Sequence, residues 1–242
     1  MALNTILFEN KGETKMIAHR GVSGLERENT CPAFVAAGVK TYYGIETDVH
    51  YTKDGRFVVC HDSNLSRVAG VDMIIEETDF DEIRAVRFTD IHGDVPRNDI
   101  FIPTLEEYLH ICRKYGKEAI LEIKGSWSDA YTASLVESVT ATEMIENTTF
   151  ISFAKESCLG VRKAYPAAKV QFLAGKDPEI SVAFCIENGM DADFHVDLIT
   201  KETVEAIHNA GHTVNCWTVN TIDIAERVKA SGVDMITTNI LE

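Results

Sequence analysis

Gly44-Ile45-Glu46-Thr47-Asp48-Val49-His50-Tyr51-Thr52-Lys53-Asp54-Gly55-Arg56-Phe57-Val58-Val59-Cys60-His61-Asp62 is the stretch on which the fold turns. Gly44–His50 reads as one strand and Arg56–His61 as a second, with little more than Thr52-Lys53-Asp54-Gly55 between them. Parallel neighbours need a crossover of about a dozen residues or more, so this short link can only close an antiparallel hairpin. The second strand is therefore an appendage. The remaining strand candidates are Met16–His19, Ala119–Lys124, Thr149–Phe153, Val170–Ala174, Ala192–Val196, Thr213–Val219 and Asp234–Thr238. With Gly44–His50 they make eight, and helical patterns fill most of the gaps. Eight staves joined by helices in 242 residues predict an α/β fold, a (β/α)8 barrel of the TIM type carrying a hairpin. A doubly wound open sheet is the alternative.

The hairpin predicts a register. A two-residue Asp54-Gly55 loop pairs Lys53 with Arg56 and sets Asp48 opposite His61. Beyond it, Ser63–Phe101 does not follow the barrel rhythm. It holds the acidic clusters Glu76-Glu77 and Asp81-Glu82, a short helical pattern near Asp79–Arg87 and a polar loop, His92-Gly93-Asp94. An excursion at the C-terminal end of a barrel strand supplies specificity or a lid, so one domain spanning 1–242 is expected, with an insertion at about 63–103. Helix boundaries are marked locally. Thr104 and Glu107 have capping-box spacing before Leu105–Tyr115, and Gly116 follows as a stop. Glu202–Ala210 ends at Gly211, and Asn220 with Asp223 opens a helix that runs to Ser231-Gly232.

Composition narrows the function classes. The formal net charge of −15 argues against a nucleic-acid-coating surface and against a polybasic membrane surface. No window is long and apolar enough for a span, and Met1–Lys15 has no basic start followed by an apolar run, so no signal peptide is expected. Cys31, Cys60, Cys112, Cys158, Cys185 and Cys216 are scattered without a CxxC, which fits free thiols in a reducing compartment. The expectation is a soluble, cytoplasmic protein without stable membrane association, and a homo-oligomer is compatible with the sequence.

Period-two alternation then isolates the chemistry. Glu46, Asp48 and His50 share one face of their strand while Ile45, Thr47 and Val49 take the other. Two carboxylates facing a barrel interior are costly unless paired or bound to a hard cation such as Mg²⁺ or Ca²⁺. Glu122 and Lys124 share a face among Leu121 and Ile123. Glu122 could complete a three-carboxylate site, with Lys124 contacting a phosphate or balancing the acids; a plain Glu–Lys pair is the ordinary alternative. His19 and Arg20 sit at the end of the first strand, before Gly21. Arg suits bidentate phosphate recognition, and His19 with His61 could serve as general acid and base near neutral pH. Trp217 and Phe194 either fill core or wall a cavity.

These residues in this order resemble the glycerophosphodiester phosphodiesterase family. The likeness runs through Ala18-His19-Arg20-Gly21, Glu28-Asn29-Thr30, Gly44–Val49, Thr52-Lys53-Asp54-Gly55, Val58–Asp62, Leu121–Lys124 and Trp217–Asn220, nearly the whole chain. The resemblance implies a TIM barrel with an insertion after the hairpin. It implies Glu46, Asp48 and Glu122 as ligands of one divalent cation (Mg²⁺, Ca²⁺ or Mn²⁺), His19 and His61 as the acid–base pair, and Arg20 and Lys124 as phosphate contacts. Trp217 is expected at the substrate. Arg27 stands where the family often has Pro, and Thr237-Thr238-Asn239-Ile240 where it often has Thr-Asp and Pro. Neither departure is expected to touch the ligands.

The expected activity is metal-dependent hydrolysis of a small glycerophosphodiester to sn-glycerol 3-phosphate and an alcohol. The attacking oxygen would come from the glycerol 2-hydroxyl, through a transient cyclic phosphate, or from water. The nearest rival is a lipid phosphodiesterase of the lysophospholipase D or phosphatidylinositol phospholipase C kind. A catalytically silent binding barrel would show a damaged motif, and none is damaged. A metal-dependent amidohydrolase would want His-x-His on the first strand, where this chain has His19-Arg20.

Overall fold

A computed structural model describes residues 4–93 and 95–242. Asp94 of the polar loop and residues 1–3 lie outside the described residues. The strands are β1 (Lys15–Ala18), β2 (Gly44–Tyr51), β3 (Phe57–Val59), β4 (Glu118–Ile123), β5 (Thr148–Ser152), β6 (Lys169–Ala174), β7 (Asp191–His195), β8 (Val214–Trp217) and β9 (Met235–Thr238). All but β3 pair in parallel, and β1 bonds to both β2 and β9, so the sheet closes into an eight-stave TIM barrel. β3 pairs with β2, antiparallel, as the short link dictates, and Val58 makes one isolated antiparallel bridge to Thr104.

The helices are α1 (Cys31–Gly38), α2 (Ser66–Ala69), α3 (Phe80–Ala85), α4 (Leu105–Tyr115), α5 (Asp129–Ala141), α6 (Lys155–Ala164), α7 (Pro178–Asn188), α8 (Lys201–Asn209) and α9 (Ile222–Ala230). Their ends follow from local chemistry. Thr104 and Glu107 form the capping box of α4, and Gly116 closes that helix at φ 63°. The Thr30 side chain caps α1. The residue preceding α9 is Thr221. Asn220, expected to open that helix, instead accepts from the Asn239 N–H at 2.8 Å and braces the loop after β9.

The main core is the annulus between barrel and helices, where Phe34, Tyr108, Leu109 and Phe194 are fully enclosed. Phe194 is thus core, not cavity wall. Each such side chain contributes on the order of 1.5–3 kcal/mol relative to exposure. A second cluster joins the outer face of β3 to the excursion through Val58, Leu65, Ile75, Ile83, Phe88 and Ile102. Followed once around the barrel, the strand registers return eight residues displaced, the shear of a TIM barrel. Inward positions consequently stack in layers of four drawn from alternate staves. Ile17, Ile120, Gln171 and Asn215 form one layer. Glu46, Ile151, Asp193 and Thr237 lie above it, and His19, Glu122, Leu173 and Trp217 lie above those.

The hairpin register differs from expectation by one residue. Tyr51 pairs with Phe57 and Val49 with Val59, and the Cys60 N–H donates to the Asp48 carbonyl at 3.0 Å. The loop is therefore the three residues Lys53-Asp54-Gly55, with Gly55 left-handed at φ 82°. Lys53 does not pair with Arg56, and Asp48 does not sit opposite His61. A left-handed third residue makes the longer loop as accessible as the two-residue turn.

Gly55 and Gly21 give a test of two different costs. At Gly55 an added Cβ meets nothing within 4 Å, whereas at Gly21 (φ 76°) it lies 2.7 Å from the Ala33 backbone. Gly55→Ala is expected to lose about 1–2 kcal/mol from backbone strain alone. Gly21→Ala should lose about 2–4 kcal/mol, because strain and overlap act together. Urea midpoints would show that order, and equal losses would refute it.

Candidate active site

The C-terminal ends of the staves converge on a cavity of about 170 Å³ lined by His19, His61, Glu46, Glu122, Lys124 and Trp217 among others. A larger cleft of about 510 Å³ opens at the opposite mouth. Its charges are largely matched to one another, as Lys169 to Glu118 at 2.7 Å and Lys15 over the Tyr43 ring. The candidate reactive groups are at the smaller cavity, the end where barrel loops carry chemistry.

The turn after β1 is strained for a purpose visible in its bonds. Arg20 adopts φ 54° and Gly21 follows in the left-handed region. This turns the Arg20 N–H onto Glu46 Oε2 at 2.9 Å, while the guanidinium reaches Glu28 at 2.9 Å and lies 3.5 Å from Asp48. His19 Nδ1 lies 2.6 Å from Asn239 Oδ1. An amide oxygen only accepts, so with this amide placement Nδ1 carries the proton and Nε2 is left as the lone-pair nitrogen, 3.8 Å from Glu46. Burial, then the Arg20 charge, pushes the His19 imidazole down to about 4; the Asn239 hydrogen bond opposes them.

Glu46, Asp48 and Glu122 are all buried and offer oxygens within 4.8 Å of one another. Asn29 Nδ2 donates to Asp48 Oδ2 at 2.7 Å, and Thr47 fixes that amide by donating to Asn29 Oδ1 at 2.7 Å. Lys124 Nζ donates to Glu122 at 2.8 Å and lies 3.3 Å from Asp48 Oδ1, which is buried without a hydrogen-bond partner among the described residues. Burial and the neighbouring Asp48 and Glu122 hold the Glu46 carboxyl well above the usual range. Burial and Asp48 likewise push Glu122 up to about 8. Burial acts in the same sense on Asp48, but Lys124, Arg20, His61 and the Asn29 bond outweigh it and hold that carboxyl low. Two carboxyls that resist ionisation beside a third that is ionised, all offering oxygen, fit a hard divalent cation. An orphaned Asp48 oxygen at the centre of the group fits the same reading. Lys124 therefore pairs with Glu122, the ordinary alternative, and also balances Asp48.

His61 comes to the cavity by another route than cross-strand pairing. β3 ends at Val59 and the chain turns, so His61 feels the Asp48 charge without lying opposite it. Its Nδ1 meets Asp62 Oδ1 at 2.7 Å, and among the described residues Nε2 has no hydrogen-bond partner. Burial, Arg20 and Lys124 lower the His61 pKa, while Asp48 and the Asp62 bond work against them. The excursion holds this arrangement. Arg67 clamps Glu28 with two bonds of 2.7 and 2.9 Å and reaches Asp62 at 2.6 Å. His50, on the same face as Glu46 and Asp48, spans from Glu76 (2.9 Å) to the His61 carbonyl (3.3 Å).

The far half of the mouth is apolar. Trp217 packs edge-on to Phe153 (5.5 Å) and His195 (5.0 Å), in the layer of Leu173 and above that of Ile151. Its indole N–H donates to the Asp193 carbonyl at 3.1 Å, so Trp217 walls the cavity. Asn239, in one of the two departures from the family pattern, touches none of the three carboxylates by a hydrogen bond among the described residues and instead bonds His19. Arg27, the other departure, anchors the excursion by donating to the Thr89 carbonyl at 2.7 Å. Sequence reading also gave no role to Glu28, Asn29, Phe153 or Asp193. For Asp193 the signal was present: Asp191-Ala192-Asp193-Phe194-His195 alternates like β2.

The model of the glycerophosphoryl diester phosphodiesterase family matches residues 19–242. A glycerophosphodiester phosphodiesterase of Caldanaerobacter subterraneus is 29% identical to this chain, covering 94% of each. Among solved structures, a glycerophosphodiester phosphodiesterase from Parabacteroides distasonis is 26% identical, with TM-score 0.77, covering 94% of this chain and 93% of that one. An Oleispira antarctica phosphodiesterase, solved with the product sn-glycerol-3-phosphate, shares the fold at TM-score 0.82 and 23% identity over 93% of this chain and 92% of that one.

The raised carboxyls predict a metal-free pH dependence. Between about pH 6.5 and 8.5 the native protein holds more protons on Glu46, Glu122 and the likewise raised Asp193 than the unfolded chain, so stability falls as pH rises. The two lowered histidines give the opposite slope only below their ordinary value of 6.5. In EDTA the Tm should drop across this window, and Glu122→Gln should flatten the drop. Mg²⁺ should restore more Tm at the alkaline end than at the neutral end. A Tm that stays level or climbs in EDTA would refute the protonated carboxyls.

Proposed function

The chain belongs to the glycerophosphoryl diester phosphodiesterase family, and from that premise we propose that it hydrolyses small glycerophosphodiesters to sn-glycerol 3-phosphate and an alcohol. The observation that carries the proposal is the pair His19 and His61. Each has Nδ1 engaged by a neighbouring oxygen, and both line the cavity that Glu46 and Glu122 also line. Glu46, Asp48 and Glu122 would hold one divalent cation, with Mg²⁺, Ca²⁺ and Mn²⁺ all compatible with oxygen donors. When bound it supplies Lewis-acid stabilisation of charge on the phosphate.

The protein's own groups divide the remaining work. Arg20 and Lys124 are cations held at the rim of the acidic cluster, and they would contact phosphate oxygens and offset the charge that accumulates in the transition state. His19, neutral down to about pH 4, suits the general base. It would take the proton of the attacking hydroxyl, from the glycerol or from water, as that oxygen bonds to phosphorus. His61, whose depression Asp48 and Asp62 oppose, suits the acid. It would give its proton to the leaving alkoxide as the P–O bond to the departing alcohol breaks; where the attacking hydroxyl is the glycerol's own, water then opens the cyclic phosphate to sn-glycerol 3-phosphate. Trp217 would pack against the substrate.

We read residues 1–242 as one domain, with the insertion at about 63–103 fixing Glu28, Asp62 and His61 from outside the barrel. Among the described residues, no helix is long and apolar enough to cross a membrane. A cytoplasmic site of action is part of the proposal, supported by six free cysteines.

Release of sn-glycerol 3-phosphate from glycerophosphocholine tests the reading. EDTA should abolish it and Mg²⁺ or Ca²⁺ restore it. His19→Ala and His61→Ala should each lower kcat by roughly 10²–10⁴-fold in a folded protein. The rate should be bell-shaped in pH. Asp62→Asn replaces a charged acceptor of the His61 Nδ1 proton by a neutral one and so weakens an interaction that raises the His61 pKa; the alkaline limb should move to lower pH. An unmoved alkaline limb would unseat His61 as the acid.

A further inference from the structure

Asp193 is the one carboxyl of the cavity that neither the cation site nor the acid–base pair uses. It lies in the layer of Glu46, four staves away and so across the barrel axis, in the floor of the apolar half. It is 2% exposed, and its Oδ1 has no hydrogen-bond partner among the described residues. In the layer beneath, Asn215 donates one N–H to Thr237 at 2.9 Å and accepts from the Cys216 N–H at 2.9 Å; its amide also acts on the Asp193 carboxyl, yet Oδ1 is left without a partner. Above, the Trp217 indole N–H is spent on the Asp193 backbone carbonyl. Asp193 is itself one of the residues that line the cavity.

A buried polar group left unpaired costs free energy, and such groups in folded proteins have an explanation. We propose that Asp193 is a specificity residue that hydrogen-bonds a hydroxyl of the substrate's glycerol moiety. This rests on the phosphodiesterase reading given above. With the phosphate at the charged half, a three-carbon polyol extends toward the half where Ile151, Leu173, Phe153 and Trp217 form the apolar wall. The polar groups lining that half are Thr218, Thr237, which is bonded to Asn215, and Asp193, the one carboxyl among them.

The protonation state suits a hydroxyl better than a cationic head group. Burial pushes the Asp193 carboxyl up to about 8, with Asn215 offsetting part of the effect. At neutral pH it is therefore a neutral acid, which both donates and accepts, as a hydroxyl does. The contrast with Asp48, which is held low beside two cations, separates the two ends of the cavity: one reads charge and the other reads hydroxyls.

The test measures binding rather than turnover. Calorimetric Kd values for sn-glycerol 3-phosphate and for propyl phosphate, which lacks both hydroxyls, would be compared in the Mg²⁺-loaded wild type, Asp193→Val and Asp193→Asn. The wild type should prefer the glycerol compound by about 10–100-fold, because propyl phosphate leaves the carboxyl unpaired. Asp193→Val should lose that preference in two ways at once, binding sn-glycerol 3-phosphate more weakly and propyl phosphate more tightly. Asp193→Asn keeps a donor and an acceptor and should keep most of the preference. In EDTA, Asp193→Val should also raise the Tm by about 2–4 °C, because it removes an unpaired buried group. A merely structural Asp193 would weaken both ligands together and lower the Tm. A preference unchanged in Asp193→Val overturns the proposal. Failure of the wild type to hydrolyse glycerophosphocholine would instead overturn the activity, and the two Kd values would still decide the role of Asp193.

Discussion

Three carboxylates crowded inside a barrel wall set the terms for everything around them. Glu46, Asp48 and Glu122 cannot all ionise in a buried space without positive charge close by. The fold provides Lys124 from the same strand as Glu122 and Arg20 from a turn that accepts a positive φ at a non-glycine residue. Those two cations steady Asp48, but they leave Glu46 and Glu122 raised. The remaining deficit is what a divalent cation would fill. Arg20 must itself be held, which Glu28 does, and Glu28 is held by Arg67 from the excursion. A network that begins as an electrostatic problem at the barrel axis thus ends in a segment outside the barrel.

The shear of the barrel sorts this chemistry into halves. Charged inward residues come from β1, β2 and β4, while β5, β6 and β8 contribute Ile151, Leu173 and Trp217. A phosphodiester has the same division, an anionic centre flanked by organic groups. Because layers draw on alternate staves, Glu46 and Asp193 share a height yet face across the axis. One cavity can therefore hold a carboxyl group placed for charge and another placed for hydrogen bonding. Both carboxyls are pushed up, for different reasons: Glu46 by burial and two neighbouring acids, Asp193 by burial, against the Asn215 amide.

What was legible in the sequence was local. Period-two alternation is a property of a single strand, so Glu46 with Asp48 and Glu122 with Lys124 could be placed on common faces without knowing any partner strand. The capping box at Thr104 is likewise contained within four residues. The hairpin register was less local. It depends on the backbone angle of Asp54: a two-residue type I′ turn needs positive φ at both Asp54 and Gly55, and only Gly55 adopts it, so the loop takes one more residue and every cross-strand pair shifts. His61 still reaches Asp48, because the chain leaves the strand before the shifted register could turn it away. Asn239 and Asn29 were illegible as functional residues for a different reason. Their bonds to His19 and Asp48 close only when β9 meets β1 and the start of α1 meets β2, contacts 220 and 19 residues apart in sequence.

The same distinction explains why Asp193 escaped notice although its strand alternates as clearly as β2. Alternation says that a residue faces inward; it does not say how high in the barrel it sits or what already satisfies it. Both facts emerge from closure. Shear puts Asp193 level with Glu46, and among the described residues its Oδ1 is buried without a hydrogen-bond partner. Stability alone would favour an apolar residue at that position, as Ile151 is in the same layer. A carboxyl there is intelligible when the missing partner arrives with the substrate, so that an unfavourable group in the empty cavity becomes a selective one in the filled cavity.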